Sequence, residues 1–265
     1  MSGLRLAIGT FTILPAGRID RVDRSSARTA MLLAPLVGIA LGVVASIPLW
    51  AVQWLAIPAY GDLLGAALAI GMLAYCTRAL HLDGLADTAD ALGSGKRGQE
   101  ALAIARRGDV GPFGVITVAF VLAIDVIALA VLGAGQVGAL ALVIAVANGR
   151  LAATWACARG IPAARPDGLG AMVAGTVPRW AALAWTLLLA VAAGALTWAV
   201  SRTPGAAAAA VFAVMVGIAV ALLLVRRCMR RLGGITGDVL GAAVETATAA
   251  TLLALALATG ATVGP

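Results

Sequence analysis

Long apolar runs constrain this chain more than any other feature. An α-helix needs roughly 20 apolar residues to cross the ~30 Å hydrocarbon core of a bilayer. The sequence offers seven such stretches, at about residues 31–57, 65–80, 113–132, 137–158, 180–200, 206–225 and 239–259. Turn residues separate them, with Pro58, Tyr60 and Gly61 after the first, Gly133 to Gln136 after the third and Ser201 to Gly205 after the fifth. A backbone in lipid must satisfy its own polar groups, so these runs read as helices. The expected fold is therefore an all-α, polytopic transmembrane helical bundle of about seven spans, one integral-membrane domain over residues 1–265. Its 62% hydrophobic and 12% charged residues leave too little polar surface for a soluble domain of this length.

Charge orients the bundle. Of nineteen Lys and Arg, every one except Arg202 falls at or near the side shared by the amino terminus and three polar loops, 81–112, 159–179 and 226–238. By the positive-inside rule that side is the cytoplasm, so the amino terminus is expected there and a site built from the three loops opens there. Residues 4–14 are too short to span. Followed by Arg18, Asp20, Arg21, Asp23, Arg24 and Arg28, they make 1–30 an interfacial amino-terminal segment. No small-residue cleavage site follows a long apolar core, so no signal peptide is expected.

The same topology explains the net charge of +7. Five percent aromatic residues and no soluble basic module argue against nucleic acid as a partner. Cys76, Cys157 and Cys228 lack Cys-x-x-Cys spacing and fall near the reducing side, so no disulfide is expected. A single histidine, His81, leaves a structural zinc site without ligands. The sequence leaves open whether copies associate into an oligomer.

The chemistry concentrates at residues 80–95. Asp83, Asp87 and Asp90 place three carboxylates in eight residues of a chain that has only twelve acids. On a helix they stand at i, i+4 and i+7, rotations of about 0°, 40° and −20°, hence on one stripe. Like charges so placed repel unless a cation lies between them, and hard oxygen donors favour Mg²⁺ or Mn²⁺. The alternative is a solvated acidic face at a helix start. Apolar flanks weigh against it, because ionised groups beside a bilayer are costly. His81 lies about 160° from the stripe and is an orienting or interfacial group, not a ligand.

Asp238 and Glu245, seven apart on the face that Gly241 and Ala242 leave open, form a second oxygen stripe; a helix cap is the other reading for Asp238. Arg106 and Arg107, ahead of Gly111, Pro112 and Gly114, fit either an anion site at a helix start or a positive-inside flank. Arg165 and Asp167 sit in a turn-rich loop. Asn148 and Arg150 lie inside the fourth span, deep enough that Arg150 needs a partner or a water-filled cavity; it can neutralise the acids or hold a phosphate. Arg78 snorkels to the surface. Arg226, Arg227, Arg230 and Arg231 read as a topology anchor that attracts anionic lipid. Asp125 lies deeper, toward the far side, with no assigned role.

The run His-Leu-Asp-Gly-Leu-Ala-Asp-Thr-Ala-Asp at His81 to Asp90 resembles the hallmark of the cobalamin synthase family, adenosylcobinamide-GDP ribazoletransferase. The resemblance extends in order through Phe11-Thr-Ile-Leu-Pro15, Gly111 to Gly114, Ala164 to Gly170 and Thr236 to Ala242. Members often carry a basic residue followed by Asp-Ser ahead of the Gly-x-Phe-Gly turn. Here Arg106, Arg107 and Gly108 stand there, so Arg107 takes no carboxylate role.

The resemblance implies an enzyme of the bacterial cytoplasmic (inner) membrane. It joins adenosylcobinamide-GDP and α-ribazole, or its 5′-phosphate, into adenosylcobalamin, or its 5′-phosphate, with release of GMP and a need for Mg²⁺. For that chemistry the residues expected are Asp83, Asp87 and Asp90 as catalytic and metal-holding, Asp238 as a further metal ligand, and Arg106, Arg150 and Arg165 at substrate phosphates. Two other classes compete. Asp83-Gly-Leu-Ala is similar to part of the CDP-alcohol phosphatidyltransferase signature, which continues with Arg where Asp87 stands and with a Gly-x-x-x-Asp-x-x-x-Asp run absent here. A cation-coupled transporter would place its acids near the midplane, whereas these gather toward one face.

Overall fold

The computed structural model describes residues 2–17, 23–106 and 108–260, so Arg18, Asp20, Arg21 and Arg107 lie outside the described residues. Helix α1 (Ser2–Phe11) is the short amino-terminal helix. It packs on α2 (Arg24–Ala45), which starts earlier than the apolar run at residue 31. The cause is a cap: the Asp23 carboxylate accepts the Ser26 N–H at 2.7 Å, and that bond holds its carboxyl below the ordinary carboxylate range. At Ser46 the helix breaks, and α3 (Ile47–Trp54) continues the crossing with a proline in its first turn.

Helix α4 (Gly61–Cys76) returns the chain, and α5 (Leu80–Gly93) turns from it by 89°. Arg78 and Ala79 make that corner with φ of 55° and 53°. Such left-handed geometry costs a non-glycine residue about 1–2 kcal/mol, so packing must hold the corner. Phe11 supplies part of it, its ring stacked on His81 at 5.7 Å, and the Ile13 N–H donates to the Cys76 carbonyl at 2.6 Å.

Then follow α6 (Gly98–Ala105), α7 (Pro112–Leu132), α8 (Gln136–Ala156), α9 (Gly168–Val173), α10 (Arg179–Ser201), α11 (Pro204–Leu232) and α12 (Gly237–Gly260). Six helices are long and apolar enough to cross a membrane, and the bent α4–α5 pair brings the number to as many as seven. The only β pairing among the described residues is two isolated bridges.

Besides α5 and the short α9, two further parts of the polar segments expected as loops are helical. Between residues 81 and 112, α6 forms because Ala101, Leu102 and Ala105 give it a buried stripe. Past residue 225, α11 continues through the arginines to Leu232, because Val225, Cys228 and Leu232 keep one face buried while Arg226, Arg227 and Arg230 stay exposed.

The centre of the bundle is α8 and α12, whose most apolar windows are 83% and 78% buried, against 22% for α7 and α10. Side chains such as Phe120 and Val191 on those outer helices are left open to lipid. Glycines let the central helices touch: a Cβ on Gly38 of α2 would sit 2.8 Å from the Ala147 Cα of α8. Arg202, the cation the charge count set apart, ends α10 with φ 57° and lies over Trp198.

A candidate active site at the arginine-rich end

Three helix starts and one zipped loop build the site. Helices α5 and α12 meet through two glycines. A Cβ on Gly84 would lie 2.8 Å from the Asp238 carbonyl oxygen, and one on Gly241 would lie 3.0 Å from that of His81. This backbone contact sets the α5 acids beside Asp238. Thr236 caps α12, its hydroxyl accepting the Val239 N–H at 3.2 Å and donating to the Asp238 carboxylate at 3.1 Å.

The loop with Arg165 is fastened to the turn before α12. Ala163 bridges Ile235, the Ala164 N–H donates to the Ile235 carbonyl at 2.9 Å, and the Ile235 N–H returns a bond to Pro162. Gly234 permits the approach, since a Cβ there would collide with the Pro162 carbonyl. Arg165 then reaches back to α6, donating to the Leu102 carbonyl at 3.3 Å, with its Nε buried and unpartnered.

The result is an open cleft of about 320 Å³ that takes residues from all three polar segments, among them Asp83, Arg165, Asp167, Thr236 and Asp238. Asp83 is exposed, while Asp87, Arg165 and Asp238 are half-buried. Asp87 lies in the field of Asp238, Asp83 and Asp90, with Arg165 the countering charge.

Asp90 has a separate duty. Its two carboxylate oxygens accept the Gly111 N–H at 2.7 Å and the Gly114 N–H at 2.9 Å, so it caps α7 from a neighbouring helix. A Cβ at Gly111 or Gly114 would collide with that carboxylate at 2.5 Å, which is why glycines flank Pro112. Arg106 is exposed at the rim, 3.4 Å from Asp167.

Arg150 is not at the cleft. It is fully buried on α8, where it feels Glu245 of α12, and its guanidinium nitrogens have no hydrogen-bond partner. Asp125 of α7 is buried and also interacts with Glu245. The two α12 acids thus part company: Asp238 lines the cleft, and Glu245, seven residues or about 10 Å deeper along the axis, faces the bundle centre.

Among the described residues, no three His, Cys, Asp or Glu side chains converge closely enough to hold a metal as they stand. The donor set still fits a hard divalent cation in its chemistry. Asp83 and Asp238 line one cleft, and Asp87 lies in the field of both, with Arg165 the opposing charge on it. His81 is buried against Phe11, beneath the acidic helix rather than on its open face.

The family described as cobalamin-5-phosphate synthase matches residues 3–256, from α1 into α12. The chain belongs to that family. It is 46% identical to the adenosylcobinamide-GDP ribazoletransferase of Frankia casuarinae over 96% of its own length and 94% of that relative's. The proteins of the same name from a Nocardioides species and from Pseudomonas aeruginosa are 43% and 37% identical, over 95% and 97% of the chain and 97% and 98% of their own lengths. No solved structure matches.

For this synthase-family member, sequence reasoning missed Thr236 and Asp167 as cleft residues. Thr236 directly before Gly237 and Asp238 has the signature of a helix cap, a signal that was there to read. Asp167 was visible as a loop acid, but only the fastening of its loop to Ile235 brings it to the cleft.

Proposed function

We propose that this protein is an adenosylcobinamide-GDP ribazoletransferase of the bacterial inner membrane, whose cleft opens to the cytoplasm. The activity is that named for its relatives, and the observation that carries it to these residues is the cleft shared by Asp83, Asp238 and Arg165. The substrates are adenosylcobinamide-GDP and α-ribazole or its 5′-phosphate. A ribose hydroxyl of the ribazole attacks the phosphorus next to the cobinamide. The new bond joins ribose oxygen to phosphorus, the bond to the second phosphate breaks, and GMP leaves.

Asp83, Asp87 and Asp238 are the residues that would hold Mg²⁺, which when bound supplies positive charge to the diphosphate. Arg165, which lines the same cleft, offers its guanidinium charge to a phosphate oxygen. One carboxylate of the cleft takes the proton of the attacking hydroxyl. Asp90 holds the start of α7 in place, and Arg106 contributes charge at the rim.

The test is purified protein in liposomes with Mg²⁺, adenosylcobinamide-GDP and α-ribazole, with GMP and the corrinoid product followed by chromatography. GMP and joined product in equal amounts support the reading. A well-folded protein that makes neither removes it, and CMP release from a CDP-lipid would move the chain to the phosphatidyltransferase class.

A further inference from the structure

Away from the carboxylate cleft, Arg227, Arg230 and Arg231 near the end of α11 and Arg97 at the start of α6 line one concavity of about 370 Å³. Among the described residues they alone line it. Arg227, Arg230 and Arg231 share a helix face at i, i+3 and i+4. Arg231 is folded back, its Nη2 donating to the Lys96 carbonyl at 2.7 Å while its Nε is buried without a partner. That bond pins the start of α6 to α11 and delivers Arg97 to the same hollow.

The ordinary reasons for arginines at a helix end do not account for this arrangement. The negative end of the α11 dipole and the positive-inside rule favour Arg230 and Arg231 where they are. Neither explains why Arg97 arrives from another helix to make a fourth like charge. Nor does any acid offset them: the ion pairs within reach among the described residues are Lys96 with Glu100 and Arg106 with Asp167. Glu100, the acid nearest to Arg97 in sequence, is thereby engaged elsewhere. The four guanidinium groups give the hollow its positive charge.

An anion with several oxygens answers both the charge and the geometry, because guanidinium forks bind phosphate oxygens in pairs. Depth admits two sources. The apolar part of α11, residues 206–225, is about 30 Å long, so the arginines begin where the hydrocarbon ends. We propose that Arg97, Arg227, Arg230 and Arg231 form a binding site for a phosphate group, carried by a soluble phosphate ester or by a phospholipid headgroup, separate from the carboxylate cleft.

The test uses full-length protein in phosphatidylcholine nanodiscs with divalent metal chelated, titrated with inorganic pyrophosphate by calorimetry. For a soluble source, binding should weaken as salt is raised and fall at least about tenfold in the Arg97→Gln/Arg230→Gln double variant. Arg202→Gln, at the other end of the bundle, should leave it unchanged. For a lipid source, spin-labelled phosphatidylglycerol should show an immobilised fraction that shrinks in the double variant, with no pyrophosphate binding in phosphatidylcholine. Arg227→Gln alone should move the same readout in the same direction, which keeps the test valid if the double variant fails to fold. Well-folded variants that change neither pyrophosphate binding nor lipid immobilisation would overturn the proposal.

Discussion

Gly84 and Asp238 meet backbone to backbone, with the space for a single Cβ between α5 and α12 already taken by the Asp238 Cα at 2.9 Å and its carbonyl oxygen at 2.8 Å. The α5 acids are set beside Asp238 through that contact, since Asp83 and Asp87 flank Gly84 on α5 and Asp238 is the other party. Gly84→Ala must therefore push the two helices apart. Overpacking of this kind costs about 1–3 kcal/mol, and the larger effect falls on the cleft. The expected outcome is a protein that still inserts and folds, with a lowered melting temperature and synthase activity reduced at least about tenfold. Gly241→Ala, where the nearest atoms are 3.0 and 3.1 Å away, should show the same defect in milder form. Equal activity of Gly84→Ala and parent would remove the contact from the mechanism.

The acids of α5 should separate by what they lose. Asp87→Asn removes a charge from the field of three other acids, so the fold should be as stable as the parent or more so. Activity should fall at least about 10²-fold, and the remainder should need more Mg²⁺ for half its maximum. Asp90→Asn keeps one oxygen for one amide but turns an NH₂ group toward the other, so it should cost about 1–2 kcal/mol of stability. Thermal unfolding beside a Mg²⁺ titration of activity checks both. Asp87→Asn that melts early, with Asp90→Asn that does not, would reverse the assignment.

That division was only half legible in the sequence. The stripe of Asp83, Asp87 and Asp90 follows from helical periodicity, as does the exclusion of His81 from it. The capping role of Asp90 depends on Gly111 and Gly114, more than twenty residues away, and no local pattern announces a cap borrowed from another helix. The crossings were legible because lipid demands long apolar runs. The early start of α2, the helix α6 and the late end of α11 were not, because a cap at Asp23 and narrow buried stripes set those limits rather than mean hydropathy. The depth of Arg150 was readable, but that it lies within the field of Glu245 and does not line the cleft is a fact of packing.

Arg165 and Arg106 should differ although both lie near the cleft. Arg165 lines it, half-buried, with a bond from its Nη2 to the Leu102 carbonyl that holds the guanidinium in place. Arg165→Ala should lower kcat/KM on the order of 10²-fold, the scale of a lost charge-assisted contact to a phosphate in a partly dry site. Arg106 is exposed, and its pairing with Asp167 at 3.4 Å is of the kind worth about 0–1 kcal/mol. Arg106→Ala should leave the melting temperature nearly unchanged and lower kcat/KM less than about tenfold. Steady-state kinetics in liposomes decides the order, and a larger loss from Arg106 would put the phosphate at the rim.

Arg150 and Glu245 occupy the two most buried helices, and each is the other's opposite charge in the bundle centre. Asn148, two residues before Arg150 and on nearly the opposite face of α8, donates to the Val214 carbonyl and to Thr251, which ties α8 to α11 and α12. A buried charge deprived of its partner costs about 3–5 kcal/mol, whereas removing both charges together is often neutral. Glu245→Gln should therefore destabilise strongly. Arg150→Met should do the same by leaving Glu245 and Asp125 facing each other. The double variant Arg150→Met/Glu245→Leu should recover most of the loss, a coupling that a double-mutant cycle of unfolding free energies reads directly. Because neither side chain lines the cleft, the recovered double variant should bind substrate with a KM close to that of the parent. Additive losses in the cycle would mean that the two charges do not support each other, and a raised KM at restored stability would bring Arg150 back to the substrate.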